Sequence, residues 1–213
     1  MRPLVLAVDT THEHGSLALN ETEVSLDAPT GFAHVIYPRL RQLLDENGVR
    51  LDDIDCFAAA SGPGSFTGLR VGLACIKGLA EATGKPAVAV SNLEALARFG
   101  SRPLRAVIED ARRGEIYGAV YDAAGRAVVA ETVGRLSEWL RTLPSGDLEF
   151  IATDFAGFGE ELPPAPQVVA PRALARAVAC IAAERFSRGA AQDPAALDAN
   201  YVRRSDAELF WKE

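Results

Sequence analysis

Four sets of residues in the sequence can do chemistry, each of a different kind. His12-Glu13-His14 has the spacing at which two imidazoles share a strand face and hold a metal, while in a solvent-facing turn the same triplet is polar surface. Ser61-Gly-Pro-Gly-Ser-Phe-Thr-Gly-Leu-Arg-Val-Gly72 is a glycine-rich turn running into a helix. Its free N–H groups and the positive end of the helix dipole suit a phosphate. Neither phosphate signature is complete. No Gly-Lys-Ser/Thr follows the glycines. The spacing Gly62-x-Gly64-x-x-x-Gly68 approaches a dinucleotide fingerprint, but the loop sits late in its unit and no acidic residue ends the next strand, Ala87 to Val90. Ser61 and Ser65 lack a base for nucleophilic work, and Cys56, Cys75 and Cys180 sit singly in apolar stretches, as small core residues do. His34, the remaining histidine, opens a helix and reads as a surface or capping residue.

The elements that must position these residues alternate between strand and helix. Leu4 to Val8 reads as a buried strand, and Ser16 to Asn20 and Val24 to Asp27 as two alternating strands that complete a meander. Ala33 to Glu46 has Ile36, Leu40, Leu43 and Leu44 at helical spacing and stops at Asn47-Gly48. Cys56 to Ala60 is a strand, Ser65 caps a helix running to the Gly84-Lys85-Pro86 break, Ala87 to Val90 is a strand and Asn92 to Phe99 a helix.

The second half repeats that order: strands at Leu104 to Glu109, Glu115 to Tyr121 and Arg126 to Val133, a helix at Leu136 to Leu143 capped near Ser137, and a strand at Glu149 to Ala152. A helical stretch over Asp154 to Glu161, a proline-rich loop, a strand at Gln167 to Val169 and an alanine-rich helix from Arg172 to Ser187 finish it. The repeat predicts a duplicated α/β unit, with one lobe over residues 1–102 and a second over 103–213 whose last segment can pack back on the first.

Composition bounds the function. With 48% apolar and 24% charged residues the chain can bury a core, and its longest apolar run, Ala177 to Ala183, is far below the roughly 18 residues of a membrane span. Three cysteines make a disulfide framework improbable and point to a reducing cytoplasm. A formal charge of −7 argues against unaided tight binding to nucleic acid. Arg102, Arg105, Arg112, Arg113, Arg203 and Arg204 contribute to such binding only within a composite surface.

The glycine-rich helix needs a physical reason. Each of Gly68, Gly72 and Gly78 costs about 1 kcal/mol of helix preference relative to alanine. Gly64, Gly68 and Gly72 recur every four residues, so another backbone can approach that stripe closely, beside an apolar face of Phe66, Leu69, Leu73 and Ile76. Two readings stay open: internal packing of helix on sheet, or a helix–helix interface with another subunit.

These residues carry a family resemblance. Gly62-Pro-Gly-Ser-Phe-Thr-Gly-Leu-Arg70-x-Gly72, with Leu6-Ala-Val-Asp9-Thr10, Ile108-Glu-Asp-Ala-Arg112-Arg-Gly114-Glu115-Ile-Tyr117 and Asn200-Tyr201-Val202-Arg203, resembles the TsaB (YeaZ) family over nearly the whole chain. The resemblance implies a duplicated actin/Hsp70/sugar-kinase-like fold. It also implies a non-catalytic role beside a larger paralogue, TsaD, in placing threonylcarbamoyl on adenosine 37 of tRNAs that read codons beginning with A. A TsaE-like ATPase can join that complex, tRNA is met only through it, and ATP and a metal belong to the partner rather than to this chain.

Several positions bear on that division of labour. The paralogue's metal-binding His-x-x-x-His pair falls on Asn92 and Leu96, and Leu96 cannot coordinate anything. Asp9 and Thr10 stand where a first phosphate loop with its Mg²⁺-holding Asp would lie, and the hairpin with Asp110 and Arg112 where a second would, but that hairpin has one glycine and much charge. The expectation is that Asp9, Asp110 and Arg112 form a polar network in a cleft, a vestige of a nucleotide site. A histidine six residues before the helix proline in many such chains is Phe32 here. Pairing is expected through Ile36, Tyr37, Leu40, Leu43, Leu44, Phe66, Leu69, Arg70, Gly72, Leu73 and Ile76, with the TsaD-like partner or, without it, in a homodimer. The alternative is a chain active in its own right, as an ATP-dependent transferase or a glycoprotease-like peptidase.

Overall fold

Val5–Asp9 (β1) is buried at every position because it is paired on both sides. Antiparallel β2 (Gly15–Leu19) sets Leu6 opposite Leu19 and Asp9 opposite Ser16, and parallel β4 (Cys56–Ala60) sets Val8 opposite Ala59. With β3 (Thr22–Leu26) and β5 (Ala87–Val90) the sheet order is β3-β2-β1-β4-β5. The computed structural model describes residues 2–28, 31–158 and 161–203.

Two helices cover one face of this sheet, α1 (Phe32–Glu46) and α2 (Phe66–Thr83). Strand alternation turns Leu6, Val8, Leu17, Leu19, Phe57 and Ala59 toward them. A short helix, α3 (Asn92–Ala97), follows β5. A second sheet has the same connectivity, from β6 (Leu104–Arg112), β7 (Glu115–Asp122), β8 (Ala127–Gly134), β9 (Leu148–Ala152) and β10 (Gln167–Val169) in the order β10-β9-β6-β7-β8. In each sheet an antiparallel meander is extended by two parallel strands beside its first strand. This is the duplicated α/β fold expected from the element order.

The division of the chain differs from 1–102 and 103–213. One unit comprises Met1–Ala95 with Arg172–Ala199, the other Leu96–Pro171 with Asn200–Glu213. The reason is α5 (Ala175–Ser187), whose buried, mostly small side chains lie on the first sheet. It lacks a side-chain cap of its own, and the strands supply one. Ser16 Oγ accepts from Ala175 N at 3.0 Å and Glu23 Oε1 from Arg176 N at 3.0 Å. At the far end Arg185 donates to the Ala89 carbonyl at 2.8 Å and to Glu94 at 2.6 Å. Arg185→Ala removes both charge-assisted bonds and should lower the stability read from urea denaturation by about 2 kcal/mol, seen as a lower midpoint. An unchanged midpoint would show that apolar packing alone seats α5.

Other expected elements are corrected locally. The helix expected from Leu136 is a four-residue α4 (Leu136–Trp139) followed by a 3-10 turn (Leu140–Thr142). It starts after Arg135 with Ser137 inside it, and the Thr142 hydroxyl closes its end on the Trp139 carbonyl at 2.7 Å. Over Asp154 to Phe158 the chain turns instead of forming a helix: Asp154 Oδ1 takes the Ala156 N–H, and Phe158 packs in the second core. No helix among the described residues is long and apolar enough to cross a membrane.

Candidate functional site

Asp9 ends β1, Thr10 and Thr11 follow it, and all three are buried. Asp9 Oδ1 accepts from Thr11 N at 2.9 Å and from the Thr11 hydroxyl at 2.6 Å, whereas Oδ2 is buried without a partner. The Thr11 hydroxyl has spent its one proton on Asp9, so Asn92 Nδ2 at 2.6 Å and His12 Nδ1 at 3.0 Å both donate to it. That assigns the proton of His12 to Nδ1 and leaves the imidazole tied to the strand end. Among the described residues no three or more His, Cys, Asp and Glu side chains converge as a metal site.

The glycine-rich turn closes over this strand end. Gly62 N donates to Asn92 Oδ1 at 3.0 Å, Asn92 N to the Gly62 carbonyl at 2.8 Å, and Ser65 N to the Thr11 carbonyl at 2.7 Å. Ser65 Oγ caps α2 by accepting from Gly68 N at 3.3 Å, as the sequence predicts, and the Thr10 hydroxyl donates to the Gly68 carbonyl at 2.7 Å. The stripe has an internal purpose. A Cβ on Gly64 would stand 2.6 Å from the Thr11 carbonyl oxygen, on Gly68 1.9 Å from that of Thr10, and on Gly72 2.6 Å from Thr10 Oγ1. The structure thus joins two sets read separately from the sequence, since Thr10 is what Gly68 and Gly72 of α2 accommodate and Thr11 what Gly64 accommodates. Phe32 lies directly over Gly15.

The residues expected at an interface separate into two groups. Ile36, Leu40, Leu43, Leu44, Leu69, Leu73 and Ile76 are buried in the first core with Ile54, Leu26 and Leu197, and Gly72 is buried against Thr10. Of the two readings left open, internal packing accounts for this set: the sheet, the residues after α1 and the segment after α5 together cover these apolar faces. Tyr37, 53% exposed, Phe66, 45% exposed, and Arg70 face outward. The Arg70 guanidinium stacks 3.7 Å over the Phe66 ring one turn away, a cation–π pair that holds both side chains at the start of α2. Those two aromatic residues are the exposed large apolar side chains of the first unit among the described residues.

Burial pushes the Cys56 thiol up to about 12, with help from Asp55, and the Cys75 thiol up to about 11, opposed by a hydrogen bond to Tyr37. Thiols react as thiolates, so at pH 8 about one in a thousand Cys75 side chains is reactive and fewer at Cys56. Half-buried Cys180 should be alkylated first and these two only on unfolding. Mass spectrometry after iodoacetamide checks this, and equal labelling of all three would contradict it. Both thiols are raised above their usual 9.0, so what they add to stability is intact below pH 9 and lost as pH climbs toward 12.

In the second unit Asp110 Oδ1 accepts from Arg112 N at 2.7 Å, where the register shifts, and Arg112, Arg113 and Gly114 have φ of 64°, 59° and 75°. Asp9 is thus held by Thr11 and Asp110 by Arg112, each within its own unit. Arg203 lies 5.8 Å over Tyr117, donates to the Ala111 carbonyl at 2.9 Å and pairs with Glu115. Burial raises the Tyr117 phenol, Arg203 opposes the rise, and Glu109 and Glu115 add to it. Arg102 pairs with Asp147 and Arg105 donates to the Ala97 and Arg102 carbonyls, so these candidates for nucleic-acid contact are engaged within the fold. Arg204 lies outside the described residues.

Asn92 joins the glycine turn to the end of β1, a contact that sequence reasoning missed. It was legible only as a metal ligand's replacement, although an Asn just after a strand and opposite a glycine turn is a usual place for a side chain to bond backbone.

Comparison with known proteins places this geometry. A family model described as TsaD: tRNA N6-adenosine threonylcarbamoyltransferase matches residues 27–190. The tRNA threonylcarbamoyladenosine biosynthesis protein TsaB of Escherichia coli (strain K12) is 37% identical over 126 residues, 55% of this chain and 54% of that protein. The protein of the same name from Bacillus subtilis (strain 168) is 33% identical over 153 residues, 67% of each. These matches span about half to two thirds of the relatives' length. The solved structure of YeaZ from Pseudomonas aeruginosa superimposes with a TM-score of 0.78 at 28% identity, covering 93% of this chain and 99% of that one.

Proposed function

Since the chain belongs to the TsaB (YeaZ) family, we propose that it is the non-catalytic partner of a TsaD-type subunit in threonylcarbamoylation of tRNA. The observation that carries this reading is the outward set Tyr37, Phe66 and Arg70 on α1 and α2, the helices through which pairing is expected. An interface of ordinary size buries about 1,600 Å² in total, with aromatic residues and Arg enriched at its core. Without the partner, the same face pairs two copies of this chain. A TsaE-like ATPase joins only the assembled complex, and tRNA binds only there.

The residues do not fit a nucleotide held by this chain alone. The Gly62 and Ser65 amides, which a phosphate would need, are spent on Asn92 and Thr11. Asp9 Oδ1 is occupied by Thr11, and Arg112 N is turned onto Asp110. The test is reconstitution. The purified chain should neither hydrolyse ATP nor modify tRNA, and should restore threonylcarbamoylation to a TsaD-type subunit that is inactive by itself. Turnover by the isolated chain that Asp9→Ala abolishes would reverse the assignment.

A further inference from the structure

We infer that Asn92 is a positioning residue that presents the first turn of α2, with Phe66 and Arg70, to the partner. The inference rests on the proposed function and adds a residue outside the docking face. Asn92 is fully buried, yet its amide makes both of its bonds to the turn-and-strand junction. Oδ1 takes the N–H of Gly62 and Nδ2 reaches the Thr11 hydroxyl, while its own N–H holds the Gly62 carbonyl. Gly62 is therefore clamped at both its N–H and its carbonyl by one residue. Three residues further along, Ser65 is fixed by Thr11, the other partner of Asn92, and Phe66 is the first residue of the helix.

The path from Asn92 to the exposed pair is continuous and short. A helix start is normally free to fray, because its first amides have no intrahelical partner. Here the Gly62–Ser65 turn, the Ser65 cap and the Thr10 bond to the Gly68 carbonyl pin that start to the end of β1. Ordering the turn before association spares the complex the cost of freezing it on binding. Asn92 acts through Gly62 and Thr11 and touches no partner itself.

The experiment uses the full chain with its TsaD-type partner and three readouts: affinity, thermal melting and amide exchange. In Asn92→Ala the Gly62 amide should exchange at least 100-fold faster and those of Ser65 and Gly68 about tenfold faster, with Leu40 and Leu43 of α1 unchanged. Partner affinity should fall at least tenfold. Thr11→Val should weaken binding likewise, and Thr11→Ser, which keeps the hydroxyl, should restore it. A purely structural role would move the melt without this local pattern or the serine rescue. If Asn92→Ala fails to fold, the Thr11→Val and Thr11→Ser pair carries the test. Unchanged exchange at Gly62 and Ser65, or opened amides with wild-type affinity, overturns the role of Asn92. A wild-type chain that does not bind the partner overturns the proposed function itself.

Discussion

Gly68→Ala should cost the first unit about 3 kcal/mol or more, a large share of the stability of an ordinary domain. The added methyl would stand 1.9 Å from the Thr10 carbonyl oxygen and 3.1 Å from its carbon, both backbone atoms that cannot rotate away. Nor can helix and strand separate cheaply, since Thr10 Oγ1 bonds the Gly68 carbonyl and Ser65 N bonds Thr11 across the same seam. The loss appears despite a gain of about 1 kcal/mol in helix preference. Gly78 is the internal control: it lies in the same helix, is exposed, and a Cβ there meets nothing within 4 Å. Gly78→Ala in the isolated chain should therefore stabilise by up to about 1 kcal/mol. Urea denaturation of both variants separates the effects. Equal midpoints would mean that the stripe does not seat the strand end.

That contrast marks how far the sequence was legible. Elements written in local pattern were read correctly: the buried runs of β1 and β4, the Ser65 cap, and the stop of α2 at left-handed Gly84. The repeated element order foretold the shared connectivity of both sheets, which no single segment encodes. What local pattern left open was decided by distant partners. Helix α5 follows the second sheet in the chain, but it joins the first because Ser16, Glu23, Ala89 and Glu94 hold it, and its alanine-rich surface names no neighbour in advance. The glycine stripe said that a backbone comes close without saying whose, and Thr10 was the answer. Asn92 was legible as an absent metal ligand and turned out to serve as a clamp on Gly62, which depends on a turn 30 residues earlier. Part of the cover of the apolar faces of α1 and α2 comes from Leu197, far along the chain, which no local pattern assigns to them.

The same lesson changes how pairing must be tested. Gly72→Arg and Leu73→Arg, the substitutions that the helical pattern suggests for blocking an interface, should destroy the fold instead. Leu73 is 6% exposed within the first core, and a Cβ on Gly72 already stands 2.6 Å from Thr10 Oγ1. Placing a guanidinium among Leu40, Leu69 and Ile76 without a counter-charge costs several kcal/mol, comparable to the stability of the whole unit. Circular dichroism of Leu73→Arg should show a lost or strongly lowered melting transition. Failure of that variant to co-purify with the partner would say nothing about docking. Phe66→Asp and Tyr37→Asp act on side chains that are about half exposed, so each should cost only about 1 kcal/mol of stability, the worth of the Arg70 stacking or of the Cys75 hydrogen bond. In the complex each replaces an aromatic anchor by a desolvated carboxylate, and the loss of affinity should reach about 100-fold, or about 2.7 kcal/mol. Phe66→Asp also removes the ring under Arg70 and so frees that guanidinium from its stacked position. Calorimetric titration with the partner, run beside thermal melts of every variant, gives the deciding pattern. Folded Phe66→Asp and Tyr37→Asp with wild-type affinity would remove α1 and α2 as the docking face, and a stably folded Leu73→Arg would show that the core places that side chain at the surface.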